Sequence, residues 1–271
     1  MRQLNKRENN LELFRRLGEG TLLNLCMAGR MTFLLVECLW AMVRPPFKPG
    51  HVVRQIHFIG VRSVLVIGFT GLFTGMVLGL QGYHLLKNYG SVSALGSGVG
   101  LGLVRELGPV LAALMIIGRA GSAMCAEIGI MRNSEQIDAL ECMAVDPVKY
   151  ILAPKFLAAL ISIPLLVSFF NIVGILGGYI VGVAIMDISV GSYFQGMYDA
   201  VTWHDVYMGL IKSVVFALLT VWIACSKGYL LHLEPDGGFG AEGVSRATTS
   251  TVVLSAVAVL VWDYLIGALM I

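Results

Sequence analysis

Residues 127–147 read EIGIMRNSEQIDALECMAVDP and carry Glu127, Arg132, Glu135, Asp138, Glu141 and Asp146 between two long apolar runs. Asn133 or Ser134 is placed to cap a helix, with Gln136 three residues after Asn133 as in a capping box. Ile137, Leu140 and Ala144 then share one face, while Glu135, Asp138 and Glu141 fall mostly on the other. Asp146-Pro147 ends the helix and turns the chain into the next apolar run. The spacing predicts a short amphipathic helix over about 133–146, outside the hydrocarbon. Two readings fit it: an ordinary solvated loop helix, or a docking helix that seats in a partner's groove.

The flanks decide the fold class. The 271-residue chain is 57% hydrophobic and 13% charged, with mean hydropathy +0.80; a soluble domain carries roughly a quarter charged residues. Uncharged windows of more than about 18 residues read as membrane-spanning helices. The expectation is an all-α polytopic membrane protein with five transmembrane helices, at about 63–86, 92–130, 148–184, 206–230 and 248–271. The second run is too long for one simple crossing, and GSGVGLG followed by Gly108-Pro109 predicts a break or kink near its start. Residues 11–44 mix apolar runs with Arg15, Arg16, Arg30 and Glu37 and stop at Pro45, Pro46 and Pro49. That segment reads as lying along the membrane surface, with a partial first span as the alternative. The division expected is an N-terminal interfacial segment, 1–49, and a transmembrane domain, 50–271.

Lys and Arg concentrate before residue 63 and near 132–155 and 227–246, whereas 185–205 holds Asp187, Asp199 and Asp205 with no Lys or Arg. By the positive-inside rule the N-terminus faces the cytoplasm and, after five crossings, the C-terminus faces outward. Lys87 alone breaks the pattern. The basic opening MRQLNKRENN has no apolar run close behind it, which argues against a cleaved signal peptide. A net charge of +2 gives no bulk electrostatic reason to bind nucleic acid. The five cysteines, Cys26, Cys38, Cys125, Cys142 and Cys225, lack metal-ligand spacing and read as small buried hydrophobes.

Four ionisable residues fall inside spans: Arg105, Glu106, Lys212 and Asp263. Each is costly in hydrocarbon unless paired or hydrated. Counted from the outer ends at about 1.5 Å per residue, all four sit in the outer half at comparable depth, two of each sign. They form either a structural ion-pair cluster or a polar rim around a substrate cavity, and the two are compatible. Gly71, Gly75 and Gly79, and Gly174, Gly178 and Gly182, repeat at four-residue spacing, as close helix packing requires, within the chain or between chains. Leu78, Gln81, Leu85 and Tyr89 fall roughly on one helical face, either core or a wall for an amphipathic ligand. No P-loop, H-E-x-x-H or G-x-S-x-G occurs, GSGVGLG does not fit G-x-G-x-x-G, and EPDGGFGAEG at 234–243 reads as a flexible loop.

LGLVRELGPVLAALMIIGRAGSAMCAEIGIMRNSEQIDALECMAVDP at 101–147, with GMVLGLQGY, LIKSVVFAL and GVSRATTSTVV, resembles the MlaE family of permeases over roughly residues 50–271. The loop 231–243 looks longer than the family's usual loop. The resemblance implies an ABC-type transporter subunit that moves phospholipid between the inner and outer bacterial membranes and keeps the outer membrane asymmetric. It implies a homodimer with N-terminal elbow helices, a cytoplasmic ABC ATPase with a STAS-domain protein, and a periplasmic hexamer of an MCE-domain protein. ATP would be bound by the ATPase, and no cofactor by this chain. Carried over residue by residue, Leu78, Gln81, Leu85, Leu86, Tyr89, Glu106 and Leu107 would line the lipid pocket between subunits, and Arg105, Glu106, Lys212 and Asp263 match polar residues near it. The 133–146 helix would be the coupling helix, with Arg132, Glu135, Asp138, Leu140 and Glu141 meeting the ATPase and Arg119 and Glu127 in the same region. Two other classes compete: a proton-coupled secondary transporter using Glu106 or Asp263 as a relay, and a lipid-modifying enzyme, for which no catalytic cluster is visible.

Overall fold

The computed structural model describes residues 22–23, 25–42, 49–233 and 240–270, and among them there are helices and short turns but no strand. In chain order we number α1 Leu25–Met42, α2 Pro49–Asn88 and α3 Val92–Asn133. Then come α4 Gln136–Cys142, α5 Val148–Ile185, α6 Val190–Ala200, α7 Trp203–Tyr229 and α8 Gly240–Met270. The polytopic all-α expectation holds. By length and apolarity, six described helices can cross a membrane rather than the five expected, because α1, in the segment read as interfacial, also qualifies. Length and hydropathy do not distinguish a helix that crosses from one that lies flat.

Glycine decides how the bundle closes. A Cβ on Gly75 would fall 1.8 Å from the carbonyl oxygen of Gly174, and one on Gly177 would fall 2.2 Å from that of Leu72. The two glycine rows therefore pack α2 on α5 within one chain, backbone against backbone. Phe156, Ile163, Val167 and Phe170 of α5 fill the core with Ile116 and Met124 of α3 and Val221 of α7. Cys38, Cys125 and Cys225 are buried there, but Cys26 and Cys142 are exposed, so the cysteine expectation fails at those two positions.

Within GSGVGLG itself the expected break is absent, since Leu95–Gly102 is continuous helix; the irregularity expected there lies between it and Gly108-Pro109. The GSGVGLG glycines make room for α6 instead. A Cβ on Gly96 would lie 1.9 Å from the Tyr193 carbonyl oxygen, and one on Gly100 would lie 2.7 Å from Met197. Tyr193 is buried and its hydroxyl donates to the Ile175 carbonyl at 3.1 Å. Burial pushes its pKa up to about 12, so it remains a donor. The irregularity comes one turn later, a wide π turn at Leu103–Leu107. It falls just before Pro109, which has no N–H to give the preceding turn. Further π turns occur at His57–Val61 in α2 and Ile117–Gly121 in α3.

The bundle thus has an end that bears α4 and an opposite end that bears α6. The segment 234–239 of the predicted flexible loop lies outside the described residues; α8 starts immediately after it, at Gly240.

Candidate functional site

The Leu103–Leu107 π turn of α3 sets Arg105 and Glu106 against α7, whose Lys212 also holds Asp263 of α8. Lys212, on α7, is fully buried. Its Nζ donates to Glu106 Oε2 at 2.6 Å and holds Asp263 Oδ1 of α8 at 2.8 Å as an ion pair without hydrogen-bond alignment. Gly267 leaves the space: a Cβ there would lie 3.8 Å from Lys212 Nζ and 3.9 Å from Glu106 Oε1. One buried cation shared by two carboxylates ties α3, α7 and α8 together.

Arg105 does not join that cluster. Its Nε donates to Asp205 Oδ1 at 2.5 Å. Asp205 reads in the sequence as an outer-loop acid, but its carboxylate is buried. Its other oxygen accepts from the Thr202 N–H and hydroxyl, both at 2.8 Å, in the capping box that starts α7. The capping role turns the carboxylate inward, where it meets Arg105. Three of the four expected charges therefore form one cluster, and the fourth, Arg105, pairs instead with Asp205, nearer the α6 end.

The expected lipid-contacting residues are placed as follows. Leu78 and Leu86 of α2 and Leu107 of α3 are half-buried against the core. Gln81, Leu85 and Tyr89, on or just past the last turns of α2, are exposed on the single chain. Glu106 is held by Lys212 with 45% of its side chain still exposed. A cavity of about 720 Å³ lies elsewhere, between α5 and α7, and Val104, Asn171, Trp203, Tyr207 and Ser213 are among its walls. None of the seven expected residues lines it.

At the α4 end, the amphipathic helix is present but shorter than predicted, and its predicted cap is not used. Helix α3 runs on to Asn133, whose Nδ2 donates to the Gly240 carbonyl at 3.1 Å, while Ser134 Oγ bonds back to the Ile130 carbonyl at 2.7 Å. The Asn133 side chain is thus taken by the start of α8 and that of Ser134 by the preceding helix. Glu135, at φ 56°, makes the tight turn between the two. Ile137 is fully buried and Leu140 packs on the core, but Ala144 lies past the helix at φ 56° and is exposed, so it leaves the predicted apolar face. Glu135, Asp138 and Glu141 are exposed, as expected. Asp146 Oδ1 accepts the Val148 N–H at 3.0 Å and so also starts α5.

Arg132 fixes α4 in place. Its Nη1 donates to Asp138 at 2.8 Å and its Nε to His232 Nδ1 at 3.1 Å, and the guanidinium lies 5.6 Å from the Tyr229 ring centre. Burial, and then the Arg132 charge, hold the His232 pKa below its ordinary value. Arg119 and Glu127, expected in the coupling region, have their contacts inside the bundle. Arg119 bonds the Phe58 carbonyl and Ser63 Oγ, and Glu127 takes Lys155 Nζ at 2.6 Å. Lys155, which reads as a loop cation, is buried in α5. Its only sequence signal is a lone lysine immediately after Pro154, inside an apolar run. Among the described residues, no group of three His, Cys, Asp or Glu could hold a metal ion.

These arrangements fix α4 to the ends of α3 and α7 and hold buried charge within the bundle. The family model "Permease MlaE" matches residues 52–269. The chain is 44% identical over 246 residues to the intermembrane phospholipid transport system permease protein MlaE of Haemophilus influenzae, covering 89% of this chain and 91% of that one. It is 38% identical over 259 residues to a probable ABC transporter permease protein of Rickettsia bellii, covering 96% and 98%. It is 31% identical over 216 residues to Protein TRIGALACTOSYLDIACYLGLYCEROL 1, chloroplastic, of Arabidopsis thaliana, covering 80% of this chain and 60% of that one. The long apolar helices, the glycine-packed bundle and the match across nearly the whole chain together place it: it belongs to the MlaE permease family.

Proposed function

We propose that this chain is the membrane subunit of an ABC-type transporter that moves phospholipid between inner and outer membranes, maintaining outer-membrane asymmetry. The observation that carries the reading is the 44% identity, over nine-tenths of the chain, to a relative named as an intermembrane phospholipid transport permease. The protein sits in the inner membrane with the α4 end in the cytoplasm, a reading supported by the basic residues around 132–155 and 227–246. ATP is hydrolysed by a partner, in keeping with a sequence that has no P-loop.

The working unit is a homodimer. Gln81, Leu85 and Tyr89, exposed on one chain, line a lipid pocket at the dimer seam with Leu78, Leu86, Glu106 and Leu107. Glu135, Asp138 and Glu141 face a cytoplasmic ATPase that carries a STAS-domain protein, and an MCE-domain hexamer sits on the α6 end. Closure of the ATPase moves α4. Because Arg132 links α4 to the ends of α3 and α7, that motion reaches the helices that carry Glu106 and Lys212. The pocket narrows and lipid moves.

The test is purification from native membrane in mild detergent, mass spectrometry of co-purifying proteins and lipids, and lipid transfer between vesicles with and without ATP. An ATPase, an MCE-domain protein and phospholipid in one particle, with ATP-dependent transfer, is the expected result. A chain that elutes alone and moves lipid in response to a proton gradient would replace this reading with the proton-coupled one.

A further inference from the structure

Along α2, residues 63–86 carry no charge and, at about 1.5 Å per residue, extend roughly 36 Å. That is about the thickness of the hydrocarbon. Arg62 and Lys87 therefore mark its two boundaries, with Arg62 at the α4 end. The π turn His57–Val61 ends at Arg62, and Phe58 within it is surrounded by cations. The ring centre lies 5.1 Å from the Arg119 guanidinium carbon, 5.9 Å from that of Arg62 and 5.8 Å from Lys155 Nζ.

Only Lys155 among these three has a carboxylate, Glu127, at 2.6 Å. Arg62 and Arg119 have no acidic partner among the described residues. Arg119 spends one nitrogen, Nη1, on the Phe58 carbonyl and Ser63 Oγ. Its Nε and Nη2 donate to no described residue, although a guanidinium has five N–H donors. Arg62 is exposed and, among the described residues, meets the Phe58 ring alone. Two guanidinium groups with unused donors at a hydrocarbon boundary suit an acceptor of opposite charge. In a bilayer, that level is where lipid phosphates lie. A guanidinium fork matches a phosphate in two-point geometry.

We propose that Arg62 and Arg119, beside the π turn of α2, bind the phosphate of an anionic phospholipid headgroup in the leaflet at the α4 end. The site lies at the opposite end of α2 from Gln81, Leu85 and Tyr89, and it does not depend on what the permease moves. Arg119 joins α2 to α3 and presents its free donors; Arg62 supplies the second charge.

The test is thermal unfolding of the purified full-length chain in a neutral detergent, titrated in turn with phosphatidylglycerol, phosphatidylcholine and inorganic phosphate. Arg119→Gln also removes the bond to Phe58 and can unfold the chain, so Arg62→Gln, which breaks no hydrogen bond among the described residues, is the deciding variant. Lys87→Gln, at the other boundary, is the control. We expect phosphatidylglycerol to raise the Tm well above the effect of phosphatidylcholine. Arg62→Gln should weaken its apparent affinity about tenfold, as loss of one charge-assisted contact does, and Lys87→Gln should not. Equal stabilisation by the two lipids, or equal effects of the two variants, overturns the proposal. Stabilisation by inorganic phosphate to the same plateau, with no further gain from phosphatidylglycerol, overturns the lipid as the source of the phosphate.

Discussion

Removing both acids from Lys212 should cost more than the sum of removing each. At an effective dielectric of about 20, unit charges roughly 2.7 Å apart attract by on the order of 6 kcal/mol, and Lys212 holds Glu106 at 2.6 Å and Asp263 at 2.8 Å. Burying the ammonium costs several kcal/mol, so one remaining carboxylate is enough to offset it. The Glu106 and Asp263 side chains keep 45% and 19% of their exposure. Solvent screening then brings Glu106→Gln or Asp263→Asn alone to about 1 kcal/mol each. The double variant strands a fully buried cation, at about 3–5 kcal/mol. With roughly 2–4 °C per kcal/mol for a chain of this size, each single variant should melt about 3 °C lower and the double variant on the order of 10 °C lower. Thermal unfolding of the four proteins in one detergent measures the coupling. A double variant that melts no lower than the summed single shifts would refute a shared cation and leave two independent polar contacts.

Gly75→Ala should destabilise strongly, because the contact at 1.8 Å from the Gly174 carbonyl must open by about 1.5 Å to reach ordinary carbon–oxygen distance. We expect a loss of about 3 kcal/mol, whereas Gly98→Ala, with nothing within 4 Å, should be neutral or gain up to about 1 kcal/mol from helix propensity; paired melting curves decide. Arg132→Gln removes the Asp138 ion pair and the His232 contact. It should leave the fold intact and lower permease-stimulated ATP hydrolysis by the partner, measured as turnover in the reconstituted complex. His232, whose folded pKa is depressed, binds its proton more readily when unfolded. Stability should therefore fall as pH drops below about 6.5 and level off below the folded pKa, and His232→Gln should flatten a pH series of Tm values over that window.

The sequence alone determined that this is a multi-pass helical membrane protein. Uncharged runs longer than a bilayer leave the backbone no other way to satisfy its polar groups. It also marked the glycine rows, the amphipathic helix, though as about 133–146 rather than Gln136–Cys142, and the four intramembrane charges, because each breaks an apolar pattern at a readable spacing. What those signals meet was decided in three dimensions. Nothing along the chain says that Gly75 faces Gly174, that Arg105 chooses Asp205, or that Lys155 and Glu127 form a pair across the core. Asp205 was hidden by its position at a helix start, where a capping acid reads as loop. GSGVGLG read as a break because glycine weakens a helix, but it is also what permits α6 to lie against one, and only the presence of Tyr193 distinguishes the two. Periodicity reports which face of a helix is apolar; the partner of each side chain follows from tertiary packing, where contacts between distant residues are set by shape and charge balance rather than by spacing in the chain.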